Sequence, residues 1–204
     1  EQQRSIISDR ELSKLHESSA KNPSSFGLVN GKAKISDGLQ LGVSLSNPSK
    51  IIGYKAKHYT PPIDLDKIKA YKTEDYWDPL FENHQKRLIL DPNEFYILSS
   101  NEVVKIPPNY AAEMVPIDPS MGELRVHYAG FFDPGFGDTD DINKASKAVL
   151  EVRSLDVPFY LEDKQIIARL KYEKLAELPT KLYGADIGST YQSQGLKLSK
   201  HFKD

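Results

Sequence analysis

Two neighbouring stretches of the chain decide its fold: Ala129-Gly130-Phe131-Phe132-Asp133-Pro134-Gly135-Phe136-Gly137 and Ala148-Val149-Leu150-Glu151-Val152. In the first, a β-type run leads into Asp133-Pro134-Gly135. This order predicts a turn, because proline presets φ for the second turn position and glycine accepts a positive φ. The second stretch is an apolar β-type run with one carboxylate, Glu151. A lone glutamate in such a strand faces solvent or lies in a pocket, and the turn and Glu151 could face one cavity.

Short β-type runs separated by turn signals make up most of the remaining chain. Leu39 to Leu45 alternates with period two, as a half-buried strand does. Turn signals such as Asp91-Pro92-Asn93 and Pro107-Pro108-Asn109 follow at close spacing. This pattern predicts a mainly β fold, an antiparallel sandwich, jelly roll or distorted barrel. The further strand candidates are 50–56, 87–91, 94–99, 102–106, 110–116, 123–129, 147–153, 157–161 and 165–172.

A helix is predicted near the N-terminus. Ser8-Asp9-Arg10-Glu11 has the capping-box pattern, with Ser8 as the N-cap and Glu11 at the third helical position. Leu12 and Leu15 give this helix an apolar side, and we expect it to end by residues 18–20. Residues 73–77 favour a second, short helix.

Composition limits the classes of function. The chain has 204 residues, enough for one domain with a core, and its net charge of −2 gives no basic field for nucleic acid or a membrane surface. No apolar run approaches the about 18 residues that a transmembrane helix needs. The absence of cysteine excludes disulfides, thiol catalysis and cysteine-ligated zinc, and it fits a cytoplasmic location.

The motifs that are missing narrow the chemistry further. None of the five histidines belongs to a His-x-x-x-His or His-x-Glu arrangement, which argues against zinc-dependent deaminase or protease chemistry. Phosphate-binding glycine loops and the Gly-x-Ser-x-Gly motif are also missing. Acid–base catalysis by a carboxylate remains, with Glu151 and Asp133 as candidates. Alternatively, Asp133 caps its own turn and Glu151 is an exposed strand residue.

Arg125 and His127 alternate along one predicted strand and therefore share a face. Their side chains either face solvent or form a cationic pair directed at phosphate. Both interpretations stay open from the residues alone.

The C-terminal tail, residues 183–204, is polar, glycine-spaced and basic toward its end. It is either a frayed terminus or a flap that orders over an anionic ligand. Because almost no apolar residue could anchor it, we expect it to be mobile without ligand, and we divide the chain into a β domain, 1–182, and this tail. The tail residues expected to contact an anion are Tyr183, Tyr191, Gln194 and Lys197.

The turn and the glutamate strand together resemble the dUTPase/dCTP deaminase superfamily. Residues 129–137 resemble its hairpin motif, and residues 148–152 resemble the strand that carries the deaminase's catalytic glutamate. The resemblance is most specific to the C-terminal half of the long, two-halved bacterial form of dCTP deaminase. Two departures stand out: Pro116–Ser120 replaces a Ser-Ser-x-x-x-Arg signature, and extra residues lie within Asp138–Lys147.

The resemblance implies a dUTPase-like distorted β-barrel or jelly roll with an N-terminal helix and a flexible C-terminal tail. It implies zinc-independent hydrolytic deamination of dCTP to dUTP and ammonia, with Mg²⁺ carried by the triphosphate and Glu151 as the catalytic base. It further implies a homo-oligomer, either a trimer or a two-halved pseudo-trimer, with no nucleic-acid or membrane partner. The substrate-binding candidates are Arg125, His127, Ala129, Phe132, Asp133, Phe136, Tyr183, Tyr191, Gln194 and Lys197.

Two other functions remain alternatives. A dUTP pyrophosphatase would use Asp133 as the base for attack at a phosphate. A non-catalytic nucleotide-sensing or oligomerising half is favoured by the missing serine–arginine signature, whereas Glu151 in its expected strand argues against it.

Overall fold

β-strands are the main regular structure of the described residues, with an 11-residue helix near the start. The computed structural model describes residues 6–20, 25–47, 51–117, 124–126, 130–183 and 195–203, and of 124–126 only the backbone. No helix in these ranges is long and apolar enough to cross a lipid bilayer. The elements are α1 (Asp9–Ser19), β1 (Leu39–Gly42), β2 (Ile51–Ala56), α2 (Thr73–Tyr76), β3 (Trp77–Phe81), β4 (Arg87–Leu90), β5 (Phe95–Val104), β6 (Tyr110–Pro116), β7 (Leu124–Val126), β8 (Phe131–Phe132), a 3₁₀ helix (Ile142–Lys144), β9 (Ser146–Ser154), β10 (Phe159–Glu162) and β11 (Ile166–Lys174).

The N-terminal helix begins as its capping box predicts. The Ser8 hydroxyl accepts from the Glu11 backbone N–H, and the Glu11 carboxylate accepts from the Ser8 N–H at 2.9 Å. Two orphan N–H groups of the first turn are thereby satisfied. Asp9 also accepts hydrogen bonds from the backbone N–H groups of Asp37 and Gly38, which ties the helix to the start of β1.

Within the described residues, three antiparallel sheets surround one core, which confirms the mainly β prediction. The five-stranded sheet has the order β3-β2-β5-β9-β7, the four-stranded sheet β1-β11-β6-β8, and the small sheet β10-β4. Side chains from both large sheets fill the space between them. Fully buried members of this core include Leu41, Leu98, Leu150 and Leu170.

Several strand boundaries differ from the predicted ones. The candidates 94–99 and 102–106 form one strand, β5, whose pairing with β9 shifts register between Ser99 and Val103. The Ser100 hydroxyl fills this gap, accepting a hydrogen bond from the Ala148 N–H at 2.9 Å. The predicted strand 39–45 ends at Gly42. The backbone of Val43 then bonds to the 163–165 turn, and the Ser44 N–H donates to the Ser99 carbonyl of β5. Of the candidate 123–129, the described strand is β7.

The Asp133–Phe136 segment forms the predicted turn, but not a hairpin. The Phe136 N–H donates to the Asp133 carbonyl at 3.1 Å, and Gly135 has φ +93°. Before the turn, β8 pairs with β6 rather than with the strand that comes after the turn. After it, the Gly135 N–H donates to the Ile106 carbonyl at 3.0 Å, and Phe136 accepts from the Ile106 N–H at 2.8 Å. The predicted turn is therefore confirmed, and the chain after it bonds to the loop after β5 instead of pairing with β8.

Candidate active site

A cavity of about 530 Å³ opens beside this turn. One wall is the exposed face of the β5–β9 ladder, and the opposite side is built from β8 and the turn. The start of the described tail segment and Tyr183 complete the rim. The lining residues are Trp77, Phe95, Ile97, Met114, Gly130, Phe131, Phe132, Asp133, Phe136, Val149, Glu151, Tyr183, Lys197, Leu198 and Ser199.

The pleat of β9 directs Glu151 into this cavity. Ala148, Leu150 and Val152 are fully buried on the core face, so the residues between them point to the other side of the sheet. Glu151 lies directly opposite Ile97 of β5, which also lines the cavity. The structure therefore places one carboxylate on an otherwise apolar strand wall.

Aromatic rings form the side of the cavity nearest the turn. Phe132 and Phe136 are mostly buried and meet edge to face, with ring centroids 5.1 Å apart. The Tyr183 ring follows at 5.8 Å from Phe136, and its backbone N–H donates to the Pro134 carbonyl at 3.0 Å. The turn thus fixes three aromatic rings beside the cavity.

The described lining carries more negative than positive charge. Asp133 and Glu151 supply two carboxylates, and Lys197 supplies one ammonium group. At the edge of the strand wall, the Arg153 guanidinium lies over the Phe95 ring, 4.9 Å from its centroid. Among the described residues, no group of three or more His, Asp or Glu side chains forms an ion-binding cluster.

Six of the predicted site residues come together in the cavity: Phe132, Asp133, Phe136, Glu151, Tyr183 and Lys197. Arg125 is described by its backbone alone, which pairs with Arg153. His127, Ala129, Tyr191 and Gln194 lie outside the described residues.

Sequence reasoning missed most of the strand wall. Ile97 and Val149 could have been found from strand pairing, because residues on the Glu151 side of β5 and β9 must share one face. Trp77 lies at the end of the predicted short helix 73–77 and begins β3 in the structure, and no local signal indicated that it lines a cavity.

The expectation of an unanchored tail is wrong for its last described segment, residues 195–203. Phe202 is only 5% exposed and packs against Tyr71, Tyr76 and Trp77. Sequence reasoning overlooked this residue because it weighed the overall polarity of the tail. One well-placed aromatic ring buries enough apolar surface to hold a short segment.

Comparison with known families gives a match over nearly the whole chain. The family model described as 2′-deoxycytidine 5′-triphosphate deaminase, C-terminal domain, matches residues 8–202. The chain is also similar to a solved structure, the 2′-deoxycytidine 5′-triphosphate deaminase from Agrobacterium tumefaciens. That likeness has a TM-score of 0.79 and 46% identity, and it covers 91% of this chain and 52% of the other.

Curated archaeal relatives match over shorter stretches. A dCTP deaminase of Natronomonas pharaonis is 30% identical, over 60% of this chain and 60% of its own. A dUMP-forming dCTP deaminase of Halobacterium salinarum is 31% identical, over 63% of this chain and 61% of its own. The matched region thus spans about three fifths of these relatives and about half of the Agrobacterium chain.

Proposed function

This chain belongs to the family of the 2′-deoxycytidine 5′-triphosphate deaminase C-terminal domain, and from that premise we propose that it hydrolytically deaminates dCTP to dUTP and ammonia. One observation carries the proposal: Glu151 stands on an apolar strand wall, in the same cavity as the aromatic rings of the turn. A carboxylate so placed can act on a flat, polar ring held beside it.

In the proposed reaction, Glu151 takes a proton from a water molecule while the water oxygen bonds to C4 of cytosine. The same carboxylate then passes the proton to the exocyclic amine. N3 takes up the electron pair of its double bond to C4 as the water adds, and later the proton of the C4 hydroxyl group. The bond between C4 and the amine nitrogen then breaks, ammonia leaves, and C4 becomes the carbonyl carbon of uracil. A positioned base of this kind contributes about 10²–10⁴ in rate. The rest must come from orientation and from fixed dipoles around the tetrahedral centre.

Recognition of the deoxynucleoside is assigned to the turn. Backbone groups near Ala129 and Phe132 would read the cytosine edge. The Phe136 ring would pack against the sugar, and because a phenyl ring offers no hydrogen bond, a ribose 2′-hydroxyl would lose its water there without a new partner. This arrangement favours deoxyribose.

The triphosphate needs more positive charge than the described cavity supplies. We assign Lys197 to it, with Tyr183, Tyr191, Gln194, Arg125 and His127 as further contacts. Mg²⁺ would arrive as part of the substrate, held mostly by phosphate oxygens and water. Zinc has no part in this scheme, because the carboxylate alone activates the water.

A second copy of the chain, or another half of a longer polypeptide, would supply the remaining cations. The Pro116–Ser120 stretch replaces the serine–arginine signature expected for phosphate contact, and Lys197 is the one cation in the described lining. We therefore propose that the working enzyme is an assembly, a homo-trimer or a two-halved pseudo-trimer.

A second candidate product is dUMP. The Halobacterium relative is named dUMP-forming, and so is a dCTP deaminase of Methanosphaera stadtmanae that is 29% identical over 74% of both chains. Exposed Asp133 lines the same cavity and could serve as the base for attack at a phosphate. Release of pyrophosphate would mark this reaction.

The test is an assay with dCTP and Mg²⁺ that measures ammonia, dUTP, dUMP and pyrophosphate separately. We expect ammonia release by the wild-type protein, and a loss of at least about 10²-fold in turnover for Glu151→Gln, which keeps the side-chain shape but no longer accepts the proton. Glu177→Gln, an exposed loop residue, is the matched control. Wild-type turnover by Glu151→Gln would refute the mechanism. A protein that releases pyrophosphate from dUTP but no ammonia from dCTP would favour the dUTP pyrophosphatase.

A further inference from the structure

The last described segment of the tail ends in an aromatic anchor. The Phe202 ring meets Tyr76 and Trp77 edge to face, at 5.5 and 6.0 Å between centroids, and Tyr71 at 6.4 Å. All three partners come from residues 71–77, at the start of β3. Phe202 is almost fully buried among them, although it lies near the end of a polar, lysine-rich segment.

Backbone hydrogen bonds fix the same segment along its length. The carbonyls of Lys200 and His201 accept from the N–H groups of Lys69 and Ala70, each at 3.0 Å. The Lys203 N–H donates to the Tyr71 carbonyl at 2.8 Å. These bonds set the register of the segment against residues 69–71, so the ring of Phe202 can enter only one place.

The anchor is joined to the cavity in two ways. Trp77 contacts Phe202 and also lines the cavity, where its ring lies 6.0 Å from that of Phe95. Lys197, Leu198 and Ser199, which lead directly into the anchored residues, line the same cavity. Phe202 therefore contacts one residue of the cavity wall, and it lies three residues after the lining segment 197–199.

We propose that Phe202 is a positioning residue for nucleotide binding: its aromatic anchor holds Lys197 at the cavity, where the lysine meets the substrate phosphates. The inference rests on the proposed function, and it goes further by assigning a role to a residue that touches no substrate. Residues 195–199 form no regular helix or strand, so their ordering depends on the anchored residues 200–203 beside them. The anchor offsets the loss of conformational freedom before the nucleotide arrives, which preorganises the lysine.

Steady-state kinetics test the role. In the purified protein, Phe202→Ala should raise KM for dCTP about tenfold, as expected when one hydrogen bond to a charged group is lost. The turnover number should stay nearly unchanged, because Glu151 and the turn are untouched, and Phe202→Leu should restore much of the affinity. Phe81→Ala is the matched control, since Phe81 is an exposed phenylalanine on the same strand as Trp77.

A double variant decides whether Phe202 acts through Lys197. If it does, Phe202→Ala combined with Lys197→Ala should have the KM of Lys197→Ala alone. Full additivity of the two effects, or an unchanged KM for Phe202→Ala, would overturn the proposal. A general loss of structure would instead lower turnover and thermal stability together, with no rescue by leucine.

The single tryptophan gives a direct optical readout of the anchor. Trp77 fluorescence should become more accessible to acrylamide in Phe202→Ala but not in Phe81→Ala, and dCTP should change the emission of the wild-type protein. If the wild-type protein binds dCTP without deaminating it, the proposed function fails, and dissociation constants from this signal then test the anchor in place of KM. A protein that neither deaminates nor binds dCTP would overturn both ideas, whereas a normal Phe202→Ala in an active enzyme overturns the anchor alone.

Discussion

At the scale of single residues, His16 links the N-terminal helix to the loop that comes after it. Its Nδ1 accepts a hydrogen bond from the Leu28 N–H at 3.1 Å. Gly27 makes room for the ring, since a Cβ there would lie 2.5 Å from Nδ1. Burial lowers the pKa of His16 below its usual value of 6.5, and the nearby Glu17 carboxylate opposes this only in part. The folded protein therefore favours the neutral imidazole.

This preference predicts a pH dependence of stability. The unfolded chain binds the His16 proton at a higher pH than the folded chain. The stability that the neutral His16 contributes is therefore complete above pH 6.5 and is lost as pH falls below it. Between about pH 7.5 and about pH 5, the free energy of unfolding from urea titration should fall less for His16→Gln than for the wild-type protein. Glutamine keeps a hydrogen-bond acceptor but has no ring that titrates. An equal decrease in both proteins would contradict the prediction.

Lys105 is the most deeply buried charged residue of the described core. Its side chain is 2% exposed, with Nζ 3.3 Å from both the Phe26 carbonyl and an Asp140 carboxylate oxygen. Asp140 lies in the loop between the turn and β9, so this ion pair ties that loop to the core. Because Asp140 is 42% exposed, the two partners differ in what their loss leaves behind.

We expect Asp140→Ala to destabilise more than Lys105→Met. Asp140→Ala leaves the buried Lys105 ammonium group with one partner fewer, which should lower the free energy of unfolding by about 2 kcal/mol. Lys105→Met leaves an Asp140 carboxylate that water can reach, and methionine has a volume similar to that of lysine. The free energy of unfolding should therefore fall by less than about 1.5 kcal/mol. Free energies of unfolding from urea titration will rank the two variants, and the reverse order would show that the ion pair does not hold this loop to the core.

At the scale of elements, the turn after β8 depends on two glycines in different ways. Gly135 has a positive φ of +93°, which glycine adopts readily. A Cβ added there would lie 3.1 Å from the Tyr183 carbonyl oxygen, a tight contact but not a collision. Gly137 has φ +61°, and an added Cβ would lie 2.0 Å from the Val104 carbonyl oxygen. The second position therefore combines conformational strain with a collision against backbone.

Gly137→Ala should accordingly destabilise the protein more than Gly135→Ala. The left-handed conformation alone costs an L-residue about 1–2 kcal/mol, and the overlap adds to it. Thermal unfolding of both variants will measure the difference. If the two lose equal stability, backbone conformation rather than the contact with Val104 sets the cost.

Elements with local signals could be predicted, and contacts between distant segments could not. Ser8 and Glu11 indicate the helix start, Pro134 and Gly135 indicate the turn, and the period of two along β9 places Glu151 away from the core. The contact of Trp77 with Phe202 joins segments far apart in sequence, and no pattern in either one predicts it. The path of the chain after the turn has the same origin, because hydrogen bonds of Gly135 and Phe136 to Ile106 determine it.

At the scale of the whole molecule, nucleotide binding should appear as added stability. With Glu151→Gln to prevent turnover, dCTP and Mg²⁺ at about 100 times Kd should contribute about 2.7 kcal/mol, a rise in Tm of about 5–10 °C for a chain of this size. CTP at the same concentration should give a smaller rise, because Phe136 leaves the extra hydroxyl without a partner. Calorimetry that shows equal rises would contradict the role of Phe136, and no rise with dCTP would contradict nucleotide binding.

The order of strands in the four-stranded sheet also has a consequence during protein synthesis. β11 lies between β1 and β6, yet it is made last of the three. On the ribosome, the first two strands emerge with no partner for their facing edges, and their apolar side chains, such as Leu41 and Met114, stay without cover until residue 174 is free. We expect nascent chains arrested before β11 to be bound by chaperones and cut by proteases. Chains arrested after β11 has emerged should resist the proteases.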